Sequence, residues 1–271
     1  MSKTYLITGA TSPLGLALMG RLLPTLAEGD LILAQGCGDL ARLAGLCQAR
    51  PGFIRPYDAD FTQPLAVRAF LSDLTDTYPA PTHFVHLAGL RPIEAPYAHF
   101  DEERFVQERA VTLDSALVLC KAILPQMAQA GFGRVVFLDG RASTRAVSAN
   151  ILQGALNGLA LSLAAEYASA GVTVNCIAPG PMASGSEADA AGLAPERAAA
   201  LLCLVLSEDA AALTGSTLPA GLFLPTQKAP DLLFGALAVF QLSSSSMASR
   251  TVSAEKRNAP PLLYTSTWPP T

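Results

Sequence analysis

Short apolar runs alternate with longer amphipathic stretches along most of this chain, and that alternation predicts the architecture. Residues 5–8, 31–34, 53–57, 83–87, 134–138 and 172–177 are apolar runs of strand length, with a last short strand near 216–219. Between them, 14–23, 40–48, 64–77, 104–130, 150–168 and 196–207 carry apolar side chains at helical spacing. Strands that are apolar on both faces belong in a parallel sheet with helices on each side. The repeated strand–helix unit therefore predicts an α/β fold, a Rossmann-type doubly wound parallel sheet in three α/β/α layers, over residues 1–224.

The pattern changes after Phe223. Residues 225–271 form a C-terminal extension with a helix expected over 231–242, where Leu232, Leu233, Phe234, Leu237 and Phe240 recur at helical spacing. Four serines and a Pro-rich end follow. A flexible tail and a docking arm both suit such a segment.

Composition narrows the function classes. The 271 residues are 51% apolar and 15% charged, with a net charge of −4 and no Lys/Arg-rich run, so no nucleic-acid or anionic-membrane partner is expected. The apolar excess points to buried subunit contacts. Five cysteines without CxxC spacing read as reduced, mostly buried thiols of a cytoplasmic protein. The N-terminus enters a strand at once without a signal-peptide layout, and the apolar run 198–206 is too short to span a bilayer. His83, His86 and His99 lack partners at ligand spacing, so they are read as core or surface side chains and no metal is expected.

One turn carries candidate chemistry. Thr8-Gly9-Ala10-Thr11-Ser12-Pro13-Leu14-Gly15 follows a strand and opens a helix, where glycines let backbone approach a pyrophosphate and the helix N-terminus faces the negative charge. It resembles the TGxxxGxG turn of the short-chain dehydrogenase/reductase family. Further landmarks fall in family order. Asp60-Phe61 resembles the element that holds the adenine ring, and Ala88-Gly89 the end of the NNAG motif. Gly133-Arg134-Val135-Val136 resembles the GRIV strand, Pro179-Gly180 the PG motif, and Thr214-Gly215 with Gly221 the closing TG and G. The resemblance spans about residues 3 to 224. It implies NAD(P) as cofactor, with Gly9, Thr11, Ser12, Leu14, Gly15, Asp60, Phe61, Ala88, Gly89, Pro179 and Gly180 as the contacts. It also implies an oligomer, formed through helices 104–130 and 150–168.

The same resemblance exposes a loss. In the family a tyrosine transfers the proton, a lysine four residues later lowers its pKa and holds the nicotinamide ribose, a serine orients the substrate oxygen, and an asparagine anchors a water. Those positions hold Ala149, Gln153, Gly140 and Thr112 here. Register error does not rescue the set. The four lysines are Lys3, Lys121, Lys228 and Lys256, and none of the six tyrosines has a lysine four positions on. A phenol is a poor base near neutrality without a cation beside it. Asp139, Arg141, Arg145 and Ser148 surround the vacated cleft, and the loop 183–195 would carry substrate specificity.

The cofactor is expected to bind weakly or not at all. Pro13 removes a backbone donor from the turn. Gln35-Gly36-Cys37-Gly38-Asp39 offers neither an acid at the strand end for a ribose diol nor an arginine for a 2′-phosphate. Two readings stay open. One is a non-catalytic subunit pairing with an active relative; the other is an NAD(P)-dependent oxidoreductase of ketoreductase type with a rebuilt active site.

Overall fold

The computed structural model describes residues 2–138, 145–179 and 193–219. The chain divides into a unit of Met1–Phe223 and a second of Leu224–Thr271. The expected extension 225–271, with its helix 231–242, lies outside the described residues.

Seven strands form one sheet: β1 (Thr4–Thr8), β2 (Leu31–Gly36), β3 (Ile54–Asp58), β4 (His83–His86), β5 (Gly133–Leu138), β6 (Val172–Ala178) and β7 (Thr217–Pro219). Their order is β3-β2-β1-β4-β5-β6-β7, and each neighbouring pair is parallel. The doubly wound sheet read from the sequence is therefore present. Winding reverses between β1 and β4, which opens a crevice beyond their carboxyl ends, the place where such sheets bind ligands.

Among the described residues, seven α-helices lie between the strands: α1 (Pro13–Leu22), α2 (Ala44–Ala49), α3 (Pro64–Thr77), α4 (Glu102–Arg109), α5 (Ser115–Ala130), α6 (Val147–Tyr167) and α7 (Pro195–Leu206). Alternate strand residues feed two cores. Leu6, Leu33, Phe84, Val135, Phe137 and Val174 pack with Phe70 of α3, Leu119 and Ile123 of α5, and Leu156 and Ala160 of α6. Ile7, Ile32, Ala34, Val85, Val136 and Ile177 pack on the other face with Leu14 and Leu18 of α1 and Leu202 and Val205 of α7. Apolar side chains on both faces are why these strands read as unbroken runs.

The expected helix 104–130 is two helices joined by a π segment, Ala110–Asp114. Its cause is local: Ser115 N–H reaches back five residues to the Ala110 carbonyl, while Ser115 Oγ donates to Val111 O (2.6 Å). Such bulges release backbone carbonyls from the helical ladder. Helix α6 begins at Val147, three residues ahead of expectation, and the predicted 40–48 helix opens as a 3₁₀ turn over Leu40–Leu43. Of the five thiols only Cys120 and Cys176 are buried, and Cys37 is exposed, so the expectation of mostly buried cysteines is corrected.

The segments Glu102–Ala130 and Val147–Ala170 are long and apolar enough to cross a bilayer by length and composition. Each instead lays one side on the sheet, through Leu119, Ile123 and Leu124 in the first and Leu156, Ala160 and Ala164 in the second. They are core-covering helices of an α/β domain whose outer faces are also apolar.

Two histidines sit inside the sheet. His83 stacks on Tyr5 (4.2 Å between ring centres) and bonds Thr82 Oγ1 (2.8 Å). Burial first, then the Lys3 and Arg134 charges, lower its pKa to about 3. Burial lowers that of His86 to about 4. In the unfolded chain both titrate near 6.5. Above about pH 6.5 both are neutral in either state and stability is complete. As pH falls toward the folded values, the unfolded chain takes up protons that the fold refuses. Stability should therefore fall by about 1.4 kcal/mol per pH unit for each histidine below that point. Thermal melts between pH 7 and 5 should show the decline, and His86→Gln should roughly halve it. An unchanged slope in that variant would remove His86 from the account.

Candidate active-site cleft

The turn between β1 and α1 forms one wall of the crevice. Gly9 has a positive φ of 65°, and a Cβ there would lie 2.7 Å from the carbonyl carbon and oxygen of Leu87. A Cβ on Gly15 would lie 2.5 Å from Ala10 O. Packing alone thus requires both glycines, whatever they face. Ser12 caps α1, its Oγ accepting from Gly15 N–H (3.1 Å). Pro13 occupies the first helical position, where a fixed φ fits and the missing N–H breaks no helical bond. The turn keeps its shape despite the proline. It still offers a ligand one donor fewer than a glycine there would.

Gln35 organises the adenosine end, a role its sequence position did not reveal. It is 3% exposed at the end of β2. Its Oε1 accepts from Gly9 N–H (3.0 Å), while Nε2 donates to Gly36 O (3.0 Å) and Ala59 O (2.7 Å). One amide thereby ties together the β1 turn, β2 and the exit of β3. Next to it, a Cβ on Gly36 would lie 2.7 Å from Thr11 Cγ2, so the Thr11 side chain covers the strand end where an acid is missing. Nearby carboxylates are already engaged. Asp58 Oδ1 accepts from Gly38 N–H (2.9 Å), and Asp60 Oδ1 from Thr62 N–H (2.9 Å) and Thr62 Oγ1 (2.8 Å). Burial, then the Asp60 and Asp58 charges, pushes the Cys37 thiol up. Phe61 turns into the core, 5.6 Å from Phe70 between ring centres.

The opposite wall is set by His86, which sequence reading left as a plain core or surface residue. Its Nε2 lies 2.9 Å from Thr112 O and its Nδ1 2.8 Å from Thr8 Oγ1. A carbonyl only accepts, so Nε2 carries the proton and Thr8 donates its hydroxyl to Nδ1. The neutral ring bridges the start of the nucleotide turn to the carbonyl at the π segment. Thr112 Oγ1 lies 3.6 Å from where a Cβ of Gly89 would be, beside the exit of β4. The sequence signal was faint: a histidine in place of an apolar residue at the end of a buried strand.

Ala149 and Gln153, where the resemblance expects the tyrosine and lysine, lie on the first turns of α6. Ala149 is half-buried and has no titratable group. Gln153 buries its Nε2 without a hydrogen-bond partner among the described residues, a donor where the resemblance expects an ammonium. Gly140, Asp139, Arg141, Gly180 and most of the loop 183–195 lie outside the described residues; Pro179 is buried at the exit of β6. Among the described residues no group of three His, Cys, Asp or Glu is placed to hold a metal. The residues present suit the pyrophosphate end of a dinucleotide through the Gly9–Gly15 turn. They suit its riboses poorly, because Gln35 stands at the strand end where an acid is missing and is bonded to the protein, and Gln153 is uncharged.

Gln35→Leu should destabilise the fold by roughly 2–4 kcal/mol, since it strands a buried N–H and two carbonyls together. A shift of the urea midpoint at constant m-value would report it. A change within experimental error would mean that solvent replaces the amide.

Comparison with known proteins places these features in a family. The family model described as short chain dehydrogenase matches residues 3–191. A D-beta-hydroxybutyrate dehydrogenase of Rhizobium meliloti is 30% identical over 192 residues, covering 66% of this chain and 71% of that protein. A D-beta-hydroxybutyrate dehydrogenase of Cupriavidus necator is also 30% identical, over 187 residues, covering 66% of this chain and 70% of its own. Among solved structures, a short chain dehydrogenase/reductase family protein superposes with a TM-score of 0.70 at 26% identity, over 80% of this chain and 95% of that one. Levodione reductase superposes with the same TM-score of 0.70 at 22% identity, over 81% and 96%, a likeness of fold. With the sheet order, the turn and these matches in agreement, the chain belongs to the short-chain dehydrogenase/reductase family.

Proposed function

We propose that this protein is a family protomer that has given up tyrosine–lysine catalysis and acts as a non-catalytic subunit, pairing with an active family member. One observation carries the reading. No tyrosine in the 271 residues is followed four positions later by lysine, and α6 presents Ala149 and Gln153 where that pair would stand. Each lost acid–base group costs on the order of 10²–10⁴ in rate. Dinucleotide binding is weak on this reading, because the ribose contacts are missing at both ends.

The outer faces of the long helices support the pairing. Ile151 and Leu161 on α6 are 50% and 62% exposed, and Val106 on α4 and Leu117 on α5 are 52% and 45% exposed. Gly154 and Gly158 lie between the α6 pair, with open space where a Cβ would be. The apolar side chains on offer are Ile151 and Leu161, whereas Leu152 and Leu156 are buried. Bare apolar stripes flanking small residues suit a close helix–helix contact. A cytoplasmic homo- or hetero-oligomer follows, without nucleic acid or membrane.

A second reading has a specific observation behind it. The relatives are dehydrogenases by name, and a buried carboxylate, Glu108, lies one helical turn before Thr112. An NAD(P)-dependent oxidoreductase of ketoreductase type with a rebuilt proton donor would use it.

Acetoacetate with NADH or NADPH distinguishes the two. The isolated protein should show no turnover, and calorimetry should find dinucleotide binding no tighter than roughly millimolar. Measurable reduction, abolished by Glu108→Gln, would establish the second reading instead. For the pairing, Leu161→Asp should leave the circular dichroism spectrum intact and lower the mass measured by light scattering. A wild-type protein that stays monomeric and retains no family member on co-expression removes the subunit proposal.

A further inference from the structure

One side chain joins the nucleotide turn to the long helix that carries the exposed apolar face. His86, 1% exposed at the end of β4, accepts at Nδ1 from Thr8 Oγ1 (2.8 Å) and donates from Nε2 to Thr112 O (2.9 Å). Thr8 leads straight into the turn, where Gly9 N–H donates to Gln35 Oε1 (3.0 Å) and Ala10 N–H to Gln35 O (2.8 Å). Thr112 is the middle residue of the π segment Ala110–Asp114.

That segment has an alternative register close by. In an α register Ser115 N–H would donate to Val111 O. It donates instead to Ala110 O, and Ser115 Oγ takes Val111 O (2.6 Å) in its place. An ion pair marks the π register from outside: Arg109 Nε lies 3.2 Å from Asp114 Oδ2. Residues five apart lie well round an α-helix from each other, so this pair suits the π geometry and not the α one. The His86 and Ser115 contacts are buried, whereas both side chains of the ion pair are 47% exposed. Exposed Val106 stands three residues before Arg109, and exposed Leu117 three after Asp114. At that spacing side chains are neighbours on a helix surface.

We propose that pairing through the outer helix faces is coupled to order in the nucleotide turn through the π segment and His86, so that a seated partner tightens the turn. A partner surface laid over Val106 and Leu117 also covers the Arg109–Asp114 pair and excludes the water that competes for it. The pair then holds the π register, the register presents Thr112 O to His86, and His86 holds Thr8 at the start of the turn. The partner thus acts on the two registers unequally, which is what a shift between them requires. Linkage makes the effect reciprocal: whatever orders the turn favours pairing. The coupling rests on the subunit reading and adds to it a regulation of the crevice by the partner.

Hydrogen exchange of the full chain, followed by mass spectrometry, tests the coupling, with light scattering on the same samples to read pairing. Leu161→Asp breaks pairing from α6 and leaves α4, the π segment and the turn unaltered in sequence. The expected result is exchange over residues 6–12 about fivefold faster in that unpaired variant, the low end of coupling between sites, while residues 172–178 of β6 keep their rate. Thr8→Val and His86→Leu each cut the link, and in both backgrounds the turn should no longer respond to Leu161→Asp. Thr8→Val nearly preserves volume and serves where His86→Leu folds poorly. The coupling is overturned if the turn exchanges at one rate in paired and unpaired protein, if β6 quickens by the same factor, or if the response survives Thr8→Val. A wild-type monomer removes the subunit reading and the coupling together, whereas failure on a confirmed pair removes the coupling alone.

Discussion

The backbone of Gly9 and that of Leu87–Ala88 approach too closely for any side chain to stand between them, and the crevice of this molecule depends on that contact. A Cβ on residue 9 would sit 2.7 Å from the Leu87 carbonyl. The contact joins the exits of β1 and β4, the two strands at which the sheet reverses its winding. Two buried side chains hold it in place. Gln35 bonds Gly9 N–H from the β2 side. His86 bonds Thr8 and the Thr112 carbonyl from the β4 side. Both ring nitrogens of His86 and both polar atoms of Gln35 are engaged within the protein. The architecture of a dinucleotide site is thus maintained by interactions internal to the protein, and it can persist without a cofactor to hold it.

Packing makes different demands on the positions of the nucleotide turn and on those at the start of α6. The retained motifs Thr8-Gly9, Gly15 and Ala88-Gly89 are those where backbone meets backbone, so the sheet demands them for its own closure. The replaced ones, Ala149 and Gln153, are side chains projecting from the first turns of α6, where packing asks only for a helix former of moderate size. Packing therefore constrains the first set and not the second, and the Nε2 of Gln153 is buried without a hydrogen-bond partner among the described residues.

How much was legible in the sequence follows from the same division. Every strand and the sheet class could be read, because strands buried on both faces announce themselves as apolar runs. Pro64–Thr77 was predicted to the residue, with Pro64 at its first position marking the start. The π segment at Ala110–Asp114 was not legible, since its cause is a set of backbone bonds around Ser115 that leaves the apolar period almost intact. Gln35 and His86 stood in plain view as polar residues ending apolar strands. Their roles depend on partners up to 78 positions away, and one sequence does not disclose such pairings. Which face of α6 each apolar residue takes was not legible either: Leu152 and Leu156 are buried, whereas Ile151 and Leu161 are exposed.

Glu108 makes the contrast sharpest. From sequence it is one acid in a charged stretch, Glu102-Glu103-Arg104 through Arg109, which reads as a solvated helix start. In the fold it is nearly sealed, and its neutralising partner Arg104 lies one turn away on the same helix. A buried ion pair is weak evidence for stability, because desolvating two charges offsets most of what their attraction returns. Apolar residues of similar volume at 104 and 108 would pack as well, without the desolvation cost. Stability therefore gives little reason for the pair.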